Sequence, residues 1–240
     1  MDLSMVTREF RVDSNMITVG ERMRETDILR QFQQTGMEHM ERANHGFYVM
    51  NALHEMLVIV RNNVRFYRLP EYEETVTALT CAPRYDGLFF VRYYALRDAA
   101  GGTLADACSY WTLIDSESKR IIRPGRHDDS YLPRVEAFAV TAPAPSKLNP
   151  PEDMREVGRR VVYRHETDQY GHLNNTRYVD VLSDFMPEKT RMTALEMNYS
   201  RELPPGAEYS VQTDGRGFFA FVRDGAVCFS AKVETAGIEE

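Results

Sequence analysis

The chain has no apolar run near the roughly 18–20 residues that a membrane helix needs. Its opening, MDLSMVTREF, has no apolar core of the kind a signal peptide carries. The expectation is a cytoplasmic protein with no membrane partner. Cysteine is scarce. Cys81, Cys108 and Cys228 stand far apart, form no CxxC pair and supply no zinc set. An odd count fits a reducing compartment, and each reads as a small buried apolar residue. No metal and no cofactor is expected. An excess of basic charge is also missing: the net charge of −7 argues against a nucleic-acid partner, which usually meets a basic face.

What the 240 residues do contain is enough apolar material, 43%, for a sizeable core. Proline is unevenly spread, with six of eleven lying between Pro124 and Pro151. Proline fixes φ and cannot complete a strand ladder, so this stretch reads as an extended connection. The expected organisation is a unit over 1–125, a linker over 126–152 and a second unit over 153–240.

Within the first unit the pattern predicts a short strand at Arg8–Val12 and a helix at Asp27–Ala43, capped by Thr26 or Asp27. Strands rich in Val, Ile, Tyr, Phe and Thr follow at Glu55–Tyr67, Glu74–Cys81, Leu88–Leu96 and Thr103–Ile114. The second unit repeats the order. A strand at Glu156–His165 precedes a helix at Asn175–Phe185, then come strands at Thr193–Arg201, Glu208–Asp214, Gly217–Val222 and Ala226–Val233. Leu69-Pro70 and Leu203-Pro204 are each followed, at equal spacing, by Glu74 and Glu208. This order suggests a duplication in which each half is an antiparallel sheet wrapped round one helix.

The densest chemistry is in TDQYGHLNNTRYVD, Thr167 to Asp180. Gly171 and the Asn pair break strand alternation, and helical spacing begins only at Tyr178. Asp168 and His172 therefore sit on a loop feeding a helix, with Asn174 or Asn175 as its N-cap. Free backbone N–H groups near Gly171–Asn175 would stabilise developing negative charge on a carbonyl oxygen. The other reading is simple turn chemistry, in which Asx side chains satisfy local backbone.

The segment resembles the DxxxGHxNNxxY stretch of hot-dog-fold thioesterases. LVIVRNNVRFYRLPEYEETVTALT and ADACSYWTLIDSESKRIIRP resemble the N-terminal half of fatty acyl-ACP thioesterases, and LEMNYSREL resembles the strand after their catalytic helix. The resemblance, to a bacterial type of that family, covers nearly the whole chain. It implies an α+β fold, a tandem (double) hot-dog, and hydrolysis of fatty acyl-ACP to free fatty acid. Asp168 falls on the family's catalytic aspartate, His172 on its histidine, Asn174 and Asn175 on its amide pair and Glu202 on the glutamate of the next strand. Plant-type enzymes have asparagine where this chain has Tyr170, and a cysteine nucleophile where it has Leu203. Water attack helped by Asp168, His172 and Glu202 is then the simplest chemistry, with a covalent anhydride on Asp168 as the alternative. An acyl-CoA thioesterase and a non-catalytic acyl-binding module are the rival functions.

The first half has no DxxxGHxNN, so His39 and His45 are read as solvated or structural. Its helix presents Phe32, Gly36, Met37 and Met40, either as the wall of an acyl tunnel or simply as core, with Gly36 leaving room for a chain. An acidic carrier protein would meet a local basic rim, for which Arg61, Arg65, Arg68, Arg177 and Arg201 are candidates. A homodimer is compatible with all of this.

Overall fold

The computed structural model describes residues 3–18, 20–124, 132, 135 and 138–237. The chain divides into two compact units, Met1–Val60 with Val64–Ala144, and Arg61–Asn63 with Pro145–Glu240.

In the first unit, β1 (Val6–Arg11), β2 (Glu55–Phe66), β3 (Thr75–Asp86), β4 (Phe89–Arg97) and β5 (Thr103–Asp115) lie in the order β1-β3-β4-β5-β2. The β1–β3, β3–β4 and β4–β5 pairs are antiparallel. Helix α1 (Glu25–Arg42) packs on this sheet through Ile28, Leu29, Phe32, Thr35, Gly36, His39 and Met40. That is the i, i+3, i+4 stripe of an amphipathic helix. Glu25 and Asp27 stand at its positive end and Arg42 at its negative end, which suits the helix dipole. The expected cap is corrected: Arg24 holds the N-cap position without a side-chain bond, and Asp27 instead pairs with Arg24 and Arg30 at 2.6 Å. A second helix, α2 (Phe47–Ala52), is too short for periodicity to reveal.

Gly36 has a packing reason. A Cβ there would lie 2.8 Å from the Tyr94 hydroxyl, and Tyr94 is itself pinned by stacking on Phe32 at 5.2 Å. Tyr94 therefore takes the space the glycine leaves. We expect Gly36→Ala to be destabilising, because overpacking of about 1–3 kcal/mol exceeds the helix gain of about 1 kcal/mol. In a Tyr94→Phe background the same change should be neutral or stabilising. Urea midpoints of the four proteins check this, and a stabilised single variant would show that Tyr94 yields.

The second unit holds β6 (Arg155–Val161), β7 (Thr190–Tyr199), β8 (Glu208–Thr213), β9 (Phe218–Arg223) and β10 (Ala226–Gly237), in the order β7-β10-β9-β8-β6, all antiparallel. Its helix α3 is only Arg177–Ser183. Tyr178 fixes it, with ring centroids 4.6 Å from Phe229, 5.3 Å from Tyr199 and 5.6 Å from Phe221. Aromatic rings thus fill this core.

Part of the expected linker lies outside the described residues; the rest is tied down. Buried Asp106 of β5 accepts the Thr141 and Ala142 N–H groups at 2.7 and 3.0 Å in the first unit. Asn198 of β7 accepts the Leu148 N–H at 2.9 Å in the second.

The repeat is written in backbone hydrogen bonds. In the first unit Thr18 N–H donates to the Arg22 carbonyl, Glu21 N–H to Thr18 and Arg24 N–H to Met16. In the second, Asp168 N–H donates to His172, Gly171 N–H to Asp168 and Asn174 N–H to Glu166. Isolated bridges Ile17–Met23 and Thr167–Leu173 close the two loops, and Glu21 and Gly171 both take positive φ, 59° and 77°. The counterpart of the DxxxGH loop is therefore the turn before α1, with Thr18 in place of Asp168 and Arg22 in place of His172. His39, on the helix, is neither a counterpart nor solvated: it is fully buried and bonded to Arg92 and to the Leu3 carbonyl.

Candidate active site

A 3-10 turn at Arg164–Glu166 leads into the loop of the second unit, and the Glu166 carboxylate accepts the Tyr163 N–H at 2.8 Å. The loop then closes on Asp168. One carboxylate oxygen, Oδ1, accepts the backbone N–H of Tyr170 at 2.9 Å and of His172 at 3.3 Å. This is Asx-turn chemistry, and it is also what shapes the place where His172 stands. Gly171 is needed for its φ of +77°, since a Cβ there would touch nothing within 4 Å.

Leu173 N–H donates to the Leu203 carbonyl at 2.8 Å, stapling the loop to the segment after β7. That segment carries Glu202. His172 Nε2 consequently lies 3.0 Å from Glu202 Oε2, with side chains 24% and 52% exposed. Solvent thus reaches the pair. Asp168 approaches His172 only through its backbone. Tyr170 is half-buried, and burial raises its phenol above the usual range, so it remains a hydrogen-bond donor at neutral pH.

Two local expectations are corrected. The helix cap is Thr176, without a side-chain bond, while Asn174 Oδ1 accepts the Thr176 N–H and hydroxyl at 3.0 and 2.9 Å. The free N–H groups are also fewer than expected. Gly171, His172, Leu173 and Asn174 donate to Asp168, Asp168, Leu203 and Glu166. Among the described residues, Asn175 alone in that stretch has an N–H without an acceptor, and its carbonyl takes the Tyr199 hydroxyl at 3.1 Å.

Cys81 and Cys108 lie in the first unit, and Cys228, whose carbonyl accepts the Ser200 and Arg201 N–H groups beside Glu202, has a thiol that burial raises. All three thiols are free and buried, and burial pushes Cys81 and Cys108 up to about 12. Of the candidate basic rim, Arg68 pairs with Glu74 at 2.6 Å and Arg177 with Asp180 at 3.0 Å. Arg201, next to Glu202, is exposed and has no ion pair among the described residues. Phe32, Gly36, Met37 and Met40 lie on α1 of the first unit: the first two meet Tyr94, Met37 is half-buried, and Met40 lines a cavity. No described helix is long and apolar enough to cross a membrane.

The fold is the tandem hot-dog of thioesterases. It aligns with an acyl-ACP thioesterase from Bacteroides thetaiotaomicron at a TM-score of 0.87 and 20% identity, over 98% of this chain and 100% of that one. A 12:0-ACP thioesterase from Umbellularia californica aligns at 0.77 and 17% identity, over 99% and 98%. At such identities the likeness speaks for the fold. No curated protein matches the sequence. The family model described as the acyl-ACP thioesterase N-terminal domain matches residues 4–125, just over half of the chain. The chain belongs to the acyl-ACP thioesterase family.

Proposed function

We propose that the chain hydrolyses the thioester of fatty acyl-ACP at the His172–Glu202 pair, releasing a free fatty acid and the carrier thiol. Family membership supplies the substrate class. The observation that carries the site is the 3.0 Å contact between His172 Nε2 and Glu202 Oε2, held by the loop staple at Leu173.

Glu202 is the better base, because water reaches it and because Asp168 Oδ1 already accepts two N–H groups. It takes a proton from water as the water oxygen bonds to the thioester carbon. The carbonyl electron pair moves to oxygen, where the Asn175 N–H receives the negative charge. Collapse breaks the C–S bond, and the proton passes from Glu202 by way of His172 to the sulfur. Asp168 fixes the loop, and the Tyr170 phenol donates to the substrate. The first unit takes the acyl chain and the second does the chemistry. The enzyme works in the cytoplasm.

Medium- and long-chain acyl-ACP should be hydrolysed with kcat/KM about tenfold or more above the matching acyl-CoA. Equal values would overturn the carrier assignment, and no hydrolysis of either would overturn the function.

A further inference from the structure

Besides the His172–Glu202 contact itself, two hydrogen bonds tie the DxxxGH loop to the end of β7. One is made by backbone, from the Leu173 N–H to the Leu203 carbonyl at 2.8 Å. The other is made by a side chain. Tyr199 is the last residue of β7, and its hydroxyl donates to the Asn175 carbonyl at 3.1 Å. On the strand side Glu202 lies between the two ties. On the loop side Asn175 is itself the second tie, and His172 precedes the first by one residue.

The ring of Tyr199 belongs to the core. Its centroid lies 5.3 Å from Tyr178, edge to face, and 5.2 Å from Phe229, its cross-strand partner on β10. Just beyond it the Ser200 and Arg201 N–H groups donate to the Cys228 carbonyl at 2.8 and 3.1 Å, so β10 also holds the segment that presents Glu202. Packing does not need the hydroxyl, since a phenylalanine ring would meet Tyr178 and Phe229 equally well. The hydroxyl also lies 3.3 Å from Met197 Sδ, a weak acceptor, which leaves the Asn175 carbonyl as the strong one. Burial raises the phenol, so it keeps its proton and remains a donor at neutral pH. Only two soft dihedrals separate the carbonyl of a residue from its own N–H. A hydroxyl that holds the Asn175 carbonyl therefore constrains where the Asn175 N–H points.

We infer that Tyr199 is a positioning residue for thioester hydrolysis: its hydroxyl sets the Asn175 N–H, which receives the carbonyl charge, at a fixed distance from Glu202, which takes the proton from water. Both groups must reach one acyl carbon, and a misplacement of about 1 Å costs about 10²-fold in rate. This deepens the function proposed above and rests on it.

The test is Tyr199→Phe in the full chain, with decanoyl-ACP as substrate. kcat should fall about tenfold or more, short of the roughly 10²–10³-fold that outright loss of such a donor costs, while KM changes less than about twofold. A second readout is nonyl trifluoromethyl ketone, which becomes tetrahedral at its carbonyl carbon when it takes up water. Its inhibition constant should rise by the factor by which kcat/KM falls, because both report on the tetrahedral state. Val211→Ala, in the buried face of β8, is the control: it should lower the urea midpoint and leave kcat unchanged. Tyr199→Phe with wild-type kcat overturns the inference, whatever its urea midpoint. A Tyr199→Phe chain that does not fold overturns it too, by making the hydroxyl structural. So does Val211→Ala with an equal loss of kcat, since general loosening would then account for the effect. Wild-type protein without thioester hydrolysis would instead sink the function on which the inference rests.

Discussion

Glu202→Gln lowers kcat for acyl-ACP hydrolysis by about 10²–10⁴-fold, the usual contribution of a positioned proton acceptor, while KM changes little. The amide keeps the length and the contact with His172 but cannot take a proton from water. His172→Ala should fall in the same range, because Glu202 then loses the partner that stands 3.0 Å away. The double variant should be little worse than the weaker single one. Groups that act as one unit are strongly non-additive, and independent groups multiply. Tyr170→Asn, by contrast, should be the mildest of the set, since an amide donor replaces a phenol donor. Single-turnover kinetics on folded protein check all four. A Glu202→Gln enzyme with near-normal kcat would remove Glu202 from the chemistry, and a multiplicative double variant would dissolve the pair.

That pair was legible in sequence only through resemblance. Asp168 and His172 are four residues apart in one loop, so spacing alone placed them together. Glu202 lies thirty residues downstream of His172, and nothing local announces that Leu173 N–H will find the Leu203 carbonyl. Strand positions were readable because β3, β4 and β5 are rich in Val, Tyr, Phe and Thr and are separated by turn signals. The helix expected at Asn175–Phe185 was two residues too long at each end, because the Asn174 turn mimics a cap two residues too early and α3 stops at Ser183. The duplicate of the DxxxGH loop could not be read at all. Positions 17–24 share no residue with 167–174 when aligned on their hydrogen bonds, since a turn held by backbone constrains few side chains. Glu21 even adopts the positive φ for which the second unit uses Gly171. The burial of Arg92 was equally hidden: an arginine in a strand pattern reads as solvent-facing until the helix that covers it is in place.

Asp168→Ala should lower kcat by about 10²-fold or more, because displacing a reacting group by about 1 Å costs that much, and here the displaced group is His172. Asp168 Oδ1 holds the N–H groups of Tyr170 and His172, and alanine offers neither an acceptor. Asp168→Asn is the informative partner. Its carbonyl oxygen can accept the same two N–H groups, so the loop keeps its shape and only the negative charge is lost. If Asp168 is a positioning residue, the asparagine enzyme retains most of its kcat, and the alanine enzyme is the damaged one. Thermal unfolding of both separates loss of the loop from loss of the fold. If both variants are folded and equally inactive, the carboxylate itself must act on the thioester. It would then bond to the acyl carbon as the thiolate leaves, giving an anhydride that water opens in a second step. In that case the base assigned to Glu202 serves the second step and not the first.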